Sequence, residues 1–459
     1  MGGLSAALTI GMQALDVSEA ALDTTSNNVA NANTPGYTDE TVDISANPIT
    51  LSGGDITGGG VTLDQVTSSR DELLNQQIQQ QTSLEGSANA QAAALQQVQT
   101  YFGNTGTDIA SELASLSSSL AALSASSSSE SAQQSVLAAG QNLAQAFNTT
   151  AAGLTSAQSE ADGQVKSLVS QVNSLTQQIA QLNGELASTT ASGQNGGVLE
   201  DQRDQLVQQL SSLVGVSVSQ SSEGEVITAA NGTPLVMGSQ SFNLQAVTGS
   251  NGFQQVEDAN GNNITSDLQG GQLGGAIQVR DQTIPGYLSQ LNTLATQLAG
   301  SFNNAQALGT DSNGNAGQPF FSLPTGGQNA AAGISVALTS PSQIAISSDG
   351  SAGSNGNVAN LSAVLTNPLP SGQTPANTYA GLVFQVGNDA SSANTESTAI
   401  GQNLLQLTNQ QGSVSGVSID EETANLIRYQ TAYEAGARIV STIQQLSTDT
   451  LDMGSNQDY

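Results

Sequence analysis

In "DSNGNAG", Asp311 to Gly317, oxygen-bearing side chains fall at the first, third and fifth positions, as in a calcium-binding loop. The sixth position is Ala316 where such a loop needs Gly, and the twelfth is Ser322 where it needs a bidentate Glu. The segment therefore reads as a turn, and "DANGNNI" from Asp258 departs from the pattern likewise. The chain has no His and no Cys. That removes the commonest general base, the thiol nucleophile, disulfides and the usual zinc ligands. Two carboxylates could still hydrolyse a glycoside. Sugar sites are normally floored by aromatic rings, however, and here Trp is absent and aromatics make up 3%. No GxGxxG or Walker-type loop follows a strand. Arg203, set among Glu200, Asp201 and Asp204, reads as a local ion pair on a helix surface. The expectation is no enzyme, no metal and no cofactor.

Charge narrows the partners. Thirty-seven acidic residues against six basic ones leave a net charge of -31, and Lys166 is the one lysine. Such a surface repels nucleic-acid phosphates and anionic membrane faces, so neither is expected as a partner. No stretch approaches 18 apolar residues, and "MGGLSAALTIGMQALDVSEA" lacks the basic and apolar regions of a cleaved signal. Composition alone therefore suggests a cytosolic protein. Carboxylates with ordinary pKa values near ~4 lose mutual repulsion in acid. Stability is thus expected to rise from pH 7 to pH 4, and a flat or falling melting curve would refute this. With 37% hydrophobic residues over 459 positions, several thin layers or an elongated shape fit better than one thick core.

The elements repeat one design at both ends. Leu8, Leu15, Leu22 and Val29 are spaced by sevens near the N-terminus, as are Ile419, Leu426, Tyr433 and Val440 near the C-terminus. The companion rows are weak: Leu4, Gly11, Ser18 and Thr25 at one end, Thr423, Gln430, Ala437 and Gln444 at the other. Each end is a helix with a narrow apolar seam. Between them, Val165, Val172, Ile179 and Leu186, with Leu168, Leu175 and Leu182, make a full heptad pattern, read as a long helix packed in a bundle. "IPGYLSQLNTLATQLAGSFNNAQAL" behaves similarly, and further helices are expected near 70–100, 108–123 and 395–411. The serine run "SLSSSLAALSASSSSESA" is either a flexible linker or a helix with a frayed end. After Gly215 the period changes, with Val214, Val216 and Val218 alternating as a strand and Asn-Gly pairs at 231, 251 and 260 marking hairpins. A second β-like region is expected between 310 and 390, including "GISVAL", "QIAIS" and "YAGLVFQVG".

A marked turn follows the first helix. In "SNNVANANTPGYTDE", Asn27, Asn28, Asn31 and Asn33 can close the helix with side-chain hydrogen bonds and tolerate left-handed dihedrals. Pro35 stops the helix and biases Thr34 to extended geometry, Gly36 allows the reversal and Tyr37 can anchor it. The candidate turn residues are thus Asn28, Asn31, Asn33, Thr34, Pro35, Gly36 and Tyr37.

"SNNVANANTPGY" resembles the N-terminal signature of bacterial flagellar axial proteins, shared by rod, hook and hook-associated families. The interior is similar to the hook-associated protein 1 family at "LEDQRDQLVQQLSSLVGVSV", "GGQLGGAIQVRDQTIPGYLSQLNTLATQLAGSFN" and "GTDSNGNAGQPFF", as is the ending "SGVSIDEETANLIRYQTAYEAGARIVSTIQQL". The likeness covers roughly residues 4–320 and 396–451. Two departures stand out: Asp39 and Glu40 sit where family members often carry a basic residue, and the tail "DMGSNQDY" is unusually polar.

The resemblance implies a structural subunit of the hook–filament junction, exported without a cleaved signal and located outside the cell. Implied partners are further copies in a ring-like homo-oligomer, the hook protein, a second and smaller junction protein, flagellin, and a cytoplasmic export chaperone at the C-terminal helix. The expected architecture is α+β and elongated, with N- and C-terminal helices forming a coiled-coil-like rod beside a helical bundle and small inserted β domains. Its expected parts are an axial helix, turn and extended segment at 1–65, long rod helices at 66–215 and a β insert at 216–270. There follow a returning helix at 271–309, a second β insert at 310–394, a rod helix at 395–418 and a C-terminal axial helix at 419–459. The axial packing residues are expected to be the two rows of sevens, too thinly apolar to fold without neighbouring copies. The β inserts are expected to face outward, so that 320–390 could be replaced by a linker. Open alternatives are another rod or hook subunit, or a secreted glycan-binding or glycan-active protein.

Overall fold

The computed structural model describes every residue except 1, 49, 53–54, 104–106, 193, 222–223, 327–328, 352–353 and 456–459, so the last residues of the polar tail lie outside the described residues. The chain opens with helix α1 (Gly2–Asn31), followed by strands β1 (Glu40–Ala46), β2 (Thr50–Ser52), β3 (Asp55–Thr57) and β4 (Val61–Ser68). β1 and β4 pair antiparallel with an irregularity between Asp43 and Ile44, and β2–β3 form a smaller antiparallel pair beyond them. Helices α2 (Glu72–Thr100), α3 (Ile109–Ala125), α4 (Glu130–Ala191) and α5 (Gly197–Leu213) come next. Asp71, Asp108 and Ser129 hold extended backbone and accept a hydrogen bond from the first turns of α2, α3 and α4, which fixes where those helices begin. The serine run thus splits between the end of α3 and the cap of α4.

At 62 residues α4 is about 90 Å long. Two cores are strung along it. Its second half buries Val165, Leu168, Val172 and Ile179 against α5 and against a four-stranded meander β5 (Val216–Ser221), β6 (Gly224–Ala229), β7 (Pro234–Met237) and β8 (Gln240–Ser241). The heptad rows therefore face a small β domain rather than a coiled-coil partner. Asn231-Gly232 turns β6 into β7, and Asn251-Gly252 joins β9 (Gln245–Thr248) to β10 (Gln254–Glu257), with Gly232 and Gly252 at φ 87° and 85°. Helix α6 (Gly271–Gln278) completes this core and runs through a π-helical turn, Val279–Thr283, into α7 (Ile284–Ala307).

The first half of α4 packs with α2, α3 and α7 in the other core. Into it fold the two-residue strands β11 (Phe321–Ser322) and β12 (Ser335–Val336), with α8 (Ala330–Gly333) between them, then α9 (Gly356–Thr366) and the start of α10 (Pro375–Ser415). Phe320 and Phe321 stack against Phe302 at centroid distances of 4.8 and 5.5 Å. Gly140 makes the approach possible, since a Cβ there would lie 2.5 Å from the Phe320 ring.

Two expectations fail here. "YAGLVFQVG" is part of α10, not a strand. Tyr379, Leu382 and Val386 are buried at helical spacing while Phe384 is 76% exposed, and Thr374 caps the helix with Pro375 in its first turn. A short apolar run does not reveal its period by itself. Nor is 320–390 an outward lobe: Phe320, Ile334, Ile344, Val358, Leu361 and Tyr379 belong to the core, so a linker could not replace the segment without opening it.

The chain closes with α11 (Ile419–Ser455), which lies along α1, while α10 lies along α2. Neither end helix joins either core, and Val17 and Ala21 are the buried apolar side chains that the described residues of the pair supply.

Candidate functional site

The turn after α1 is built around one asparagine. Asn28 is 1% exposed and its side chain uses every hydrogen-bonding group it has. Its Oδ1 accepts from the Tyr37 hydroxyl at 2.8 Å and from the Glu40 N–H at 3.1 Å. Its Nδ2 faces Asp39 Oδ1 at 2.8 Å, the Glu40 carbonyl at 2.8 Å and Glu422 Oε2 at 3.2 Å. One amide therefore ties the end of α1 to the strand that follows and to the first turn of α11. Asn31 behaves as a local helix stop, donating to Asn27 Oδ1 at 2.8 Å and accepting from the Thr34 hydroxyl at 3.2 Å, while Asn33 is exposed. None of the turn's asparagines is left-handed; Gly36 alone takes that role, at φ 78°. Gln205 of α5 donates to the Pro35 carbonyl at 2.5 Å, and a Cβ at Gly36 would meet its side chain at 2.6 Å. The turn is clamped against α5, more than a free loop would be.

Arg70, just past β4, lies near enough to Glu40 to offset part of its charge. Its guanidinium donates to Glu200, to Asp201 at 2.6 Å and to the Gly197 carbonyl at 2.8 Å, with Nε 3.8 Å from Asp204. Asp201 in turn accepts from the Thr38 N–H at 3.0 Å and from the Thr38 hydroxyl. Glu40 accepts from Asn195 at 3.0 Å, and burial pushes its carboxyl up. Burial, with Glu422, Glu421 and Glu40 nearby, pushes Asp39 up to about 6. Arg203 makes the expected local pair with Asp204, at 3.5 Å, but it is not confined to the helix surface. It reaches across to Glu225 on β6 at 3.0 Å, with side-chain exposures of 11% and 6%, and burial pushes Glu225 up to about 7. Arg280, 1% exposed in the π-helical turn, donates to Asp162 of α4 at 2.8 Å and to the Gln254 carbonyl of β10 at 2.7 Å. Three of six basic residues thus hold elements together from inside. Their scarcity was the signal available in the sequence, and spacing alone could not show what Arg70 and Arg280 reach.

The terminal helices run antiparallel, so that Asn28 meets Glu422 and Gly11 meets Val440. A Cβ on Gly11 would lie 2.9 Å from Val440 Cγ2, and one on Gly436 would lie 3.2 Å from Leu15 Cδ2. Gly11, Ser18 and Thr25 are buried, whereas Leu8, Leu15 and Leu22 are half-buried and Val29 is exposed. On α11, Leu426 and Val440 are half-buried, and Ile419 and Tyr433 are exposed. On α1 the row read as the weak companion lies at the contact, which allows close approach; on α11 that row, Thr423, Gln430, Ala437 and Gln444, is exposed and Gly436 lies at the contact instead. Toward the free ends the pair opens into a groove of about 660 Å³ lined by Leu4, Leu8, Ile443 and Leu451. On α11, Ile419, Ile427, Ile439, Leu446, Leu451 and Met453 are each more than half exposed.

The remaining chemistry is quiet. Asp311 and Asp258 accept N–H bonds from residues two and four positions on, Asn313 and Asn315 in one case and Asn260 and Asn262 in the other, as turn-forming aspartates do. Among the described residues no group of three or more His, Cys, Asp or Glu is placed to hold a metal, and no helix is long and apolar enough to cross a membrane.

Comparison with known proteins agrees with this arrangement. Residues 95–321 match the family model of the flagellar hook-associated protein FlgK helical domain. Residues 8–38 match that of the flagella basal body rod protein, and residues 410–453 that of the flagellar basal body rod FlgEFG protein C-terminal. The flagellar hook-associated protein 1 of Bacillus subtilis is 32% identical, with 96% of each chain covered. That of Salmonella typhimurium is 27% identical over 96% of this chain and 99% of its own. Among solved structures, the flagellar hook junction protein FlgK of Burkholderia pseudomallei superposes with a TM-score of 0.66 at 19% identity, covering 74% of this chain and all of that one, a likeness of fold.

Proposed function

Because the chain belongs to the flagellar hook-associated protein 1 family, we propose that it works as a structural subunit of the bacterial flagellum, seated where hook meets filament. It is a structural protein of the flagellum rather than an enzyme. The observation that carries the reading is the contrast between two well-filled cores and a terminal helix pair that belongs to neither. The cores make a self-sufficient body. The pair keeps an open groove and several exposed apolar side chains on α11, which adjoining subunits would cover.

On this reading the terminal helices are the axial part. Leu8, Leu15 and Leu22 with Leu426 and Val440 make the intramolecular seam, and Val29, Ile419 and Tyr433 add to the surface offered to neighbours. The turn from Asn28 to Tyr37 sets the angle between that axial part and the body, through its clamp on α5. Partners would be further copies of the chain, the hook protein, the smaller junction protein and flagellin, with an export chaperone taking α11 before assembly and a final place outside the cell. Another rod or hook subunit is disfavoured because the helical-domain match over residues 95–321 distinguishes this family within the axial proteins.

Sedimentation and electron microscopy of the purified chain with isolated hooks test the proposal. Density confined to hook ends supports it, and free chain with bare hook ends refutes it. Amide exchange over residues 5–30 should slow on binding, whereas equal protection in free and bound chain would rule out completion by neighbours.

A further inference from the structure

We propose that the joint between α1 and α11 is a proton-operated latch, in which a proton on Asp39, beside Asn28 and Glu422, closes the terminal helix pair onto the body. The geometry begins with Asn28. Its Nδ2 carries two hydrogens but faces three acceptors within 3.2 Å: Asp39 Oδ1, the Glu40 carbonyl and Glu422 Oε2. One acceptor is always short of a hydrogen. Since the Glu40 carbonyl can never bring its own, the deficit falls on the Asp39 and Glu422 carboxyl groups, and a proton on Asp39 makes up the count.

Among the described residues no basic side chain pairs with Asp39 or Glu422. Facing Asp39 are Tyr37 and Glu40 on its own segment and Glu421 and Glu422 on α11, with Asn28 on α1 uncharged. Arg70, the nearest base in the cluster, is engaged by Glu200, Asp201 and the Gly197 carbonyl on α5. The second oxygen of Glu422 is held by Asn425 at 3.1 Å, and the Asp39 N–H donates to the carbonyl of Ser415, the last residue of α10, at 2.9 Å. Asp39 therefore bonds to Asn28 at the end of α1 and to Ser415 at the end of α10, and its charge is felt by Glu421 and Glu422 in the first turn of α11.

The direction follows from linkage. Asp39 titrates near 6 in the folded joint against 3.8 when free, so the closed form holds the extra proton. Closure is favoured as pH falls from 6 toward 4 and is weakened above 6.

The test uses the full chain with carbon-13 in its aspartate carboxyls, assigning Asp39 by its absence in Asp39→Asn. The Asp39 signal should titrate near pH 6, and amide protection over 419–426 should rise by about tenfold in all as pH drops from 7.5 to 5, most of it below pH 6. Asp39→Asn should show high protection at both pH values. An Asp39 midpoint below 5, or an Asp39→Asn chain that keeps the wild-type pH dependence, overturns the latch. As a second variant, Glu422→Gln should lower the Asp39 midpoint, and an unchanged midpoint also overturns it. Neither readout depends on binding to hooks, so the latch and the junction reading fail separately.

Discussion

Replacing Arg70 by Ala would strip Asp201 of its guanidinium and leave Asp204 with Arg203 alone, 3.5 Å away. Removing one partner of a buried ion pair costs about 3–5 kcal/mol, because the other charge remains buried. Glu200 is 40% exposed and screened by water, so it adds little. Asp201 keeps the Thr38 N–H and hydroxyl, which softens its loss. The cost therefore falls near the lower figure, about 3 kcal/mol, or roughly a hundredfold in the local opening equilibrium. The deficit depends on pH in a known direction. Burial already holds Asp204 above its usual range, and losing Arg70 removes the largest influence opposing that rise. The folded variant then binds protons more readily than the unfolded chain, so it regains stability as pH falls. Amide exchange by mass spectrometry reads this directly, following residues 38–46 and 197–205 with α7 as an internal control. Protection at pH 7.5 should drop about a hundredfold in the first two segments and not in α7, with a smaller drop at pH 5. Arg70→Lys should recover only part of it, since one ammonium cannot reach Asp201, Glu200 and the Gly197 carbonyl together. A change under threefold at pH 7.5, or a deficit that does not shrink in acid, would refute the role given to this cation.

Gly11→Leu places a side chain where even a Cβ would meet Val440 at 2.9 Å, so hook-end binding should be lost while the two cores melt as before; normal hook-end binding would be the contrary result. Pro35→Ala combined with Gly36→Ala forces a Cβ at φ 78° against Gln205, costing about 1–2 kcal/mol, and should spare the cores but impair attachment to hooks. Replacing residues 320–390 by a short linker should abolish cooperative unfolding of the core that holds Phe302 and Tyr287, because Phe320, Leu361 and Tyr379 leave with it. A linker variant that melts at the wild-type temperature would show the segment to be an independent lobe after all.

Where a residue's partner lies within a turn or two along the chain, the sequence was legible. The rows Val165–Leu186 and Ile284–Ala305 point their apolar side chains inward as their spacing required. The Asn-Gly pairs sit in the hairpins they announce, because a tight turn demands positive φ at Gly. Where the partner is remote, it was not. Nothing around Asn28 distinguishes it from Asn31 in sequence, yet one is a hub buried between three segments and the other a helix stop. Arg203 had three acidic neighbours along its helix, but its strongest contact is Glu225 on the facing strand, reached only after the meander folds. In "YAGLVFQVG" the apolar run was real and its period ambiguous, and the upstream Thr374-Pro375 cap settled it as helix.

The terminal seam shows the same limit in another form. A row of sevens says that a helix has a face, not how close another helix comes to it. Leucines at 8, 15 and 22 suggested a contact through large side chains, and the structure closes through Gly11 and Gly436 instead. Small residues at the contact bring the backbones together while burying little apolar surface, so a pair built this way gains precise spacing and modest stability. The larger apolar side chains are displaced to the flanks, and several on α11 stay exposed. A helix pair of that construction is held to the body chiefly by polar contacts at the joint, with Asn28, Asp39 and Glu422 bearing on one another. Small changes of charge at those few atoms should therefore move the axial part relative to the body more than changes of similar size within either core.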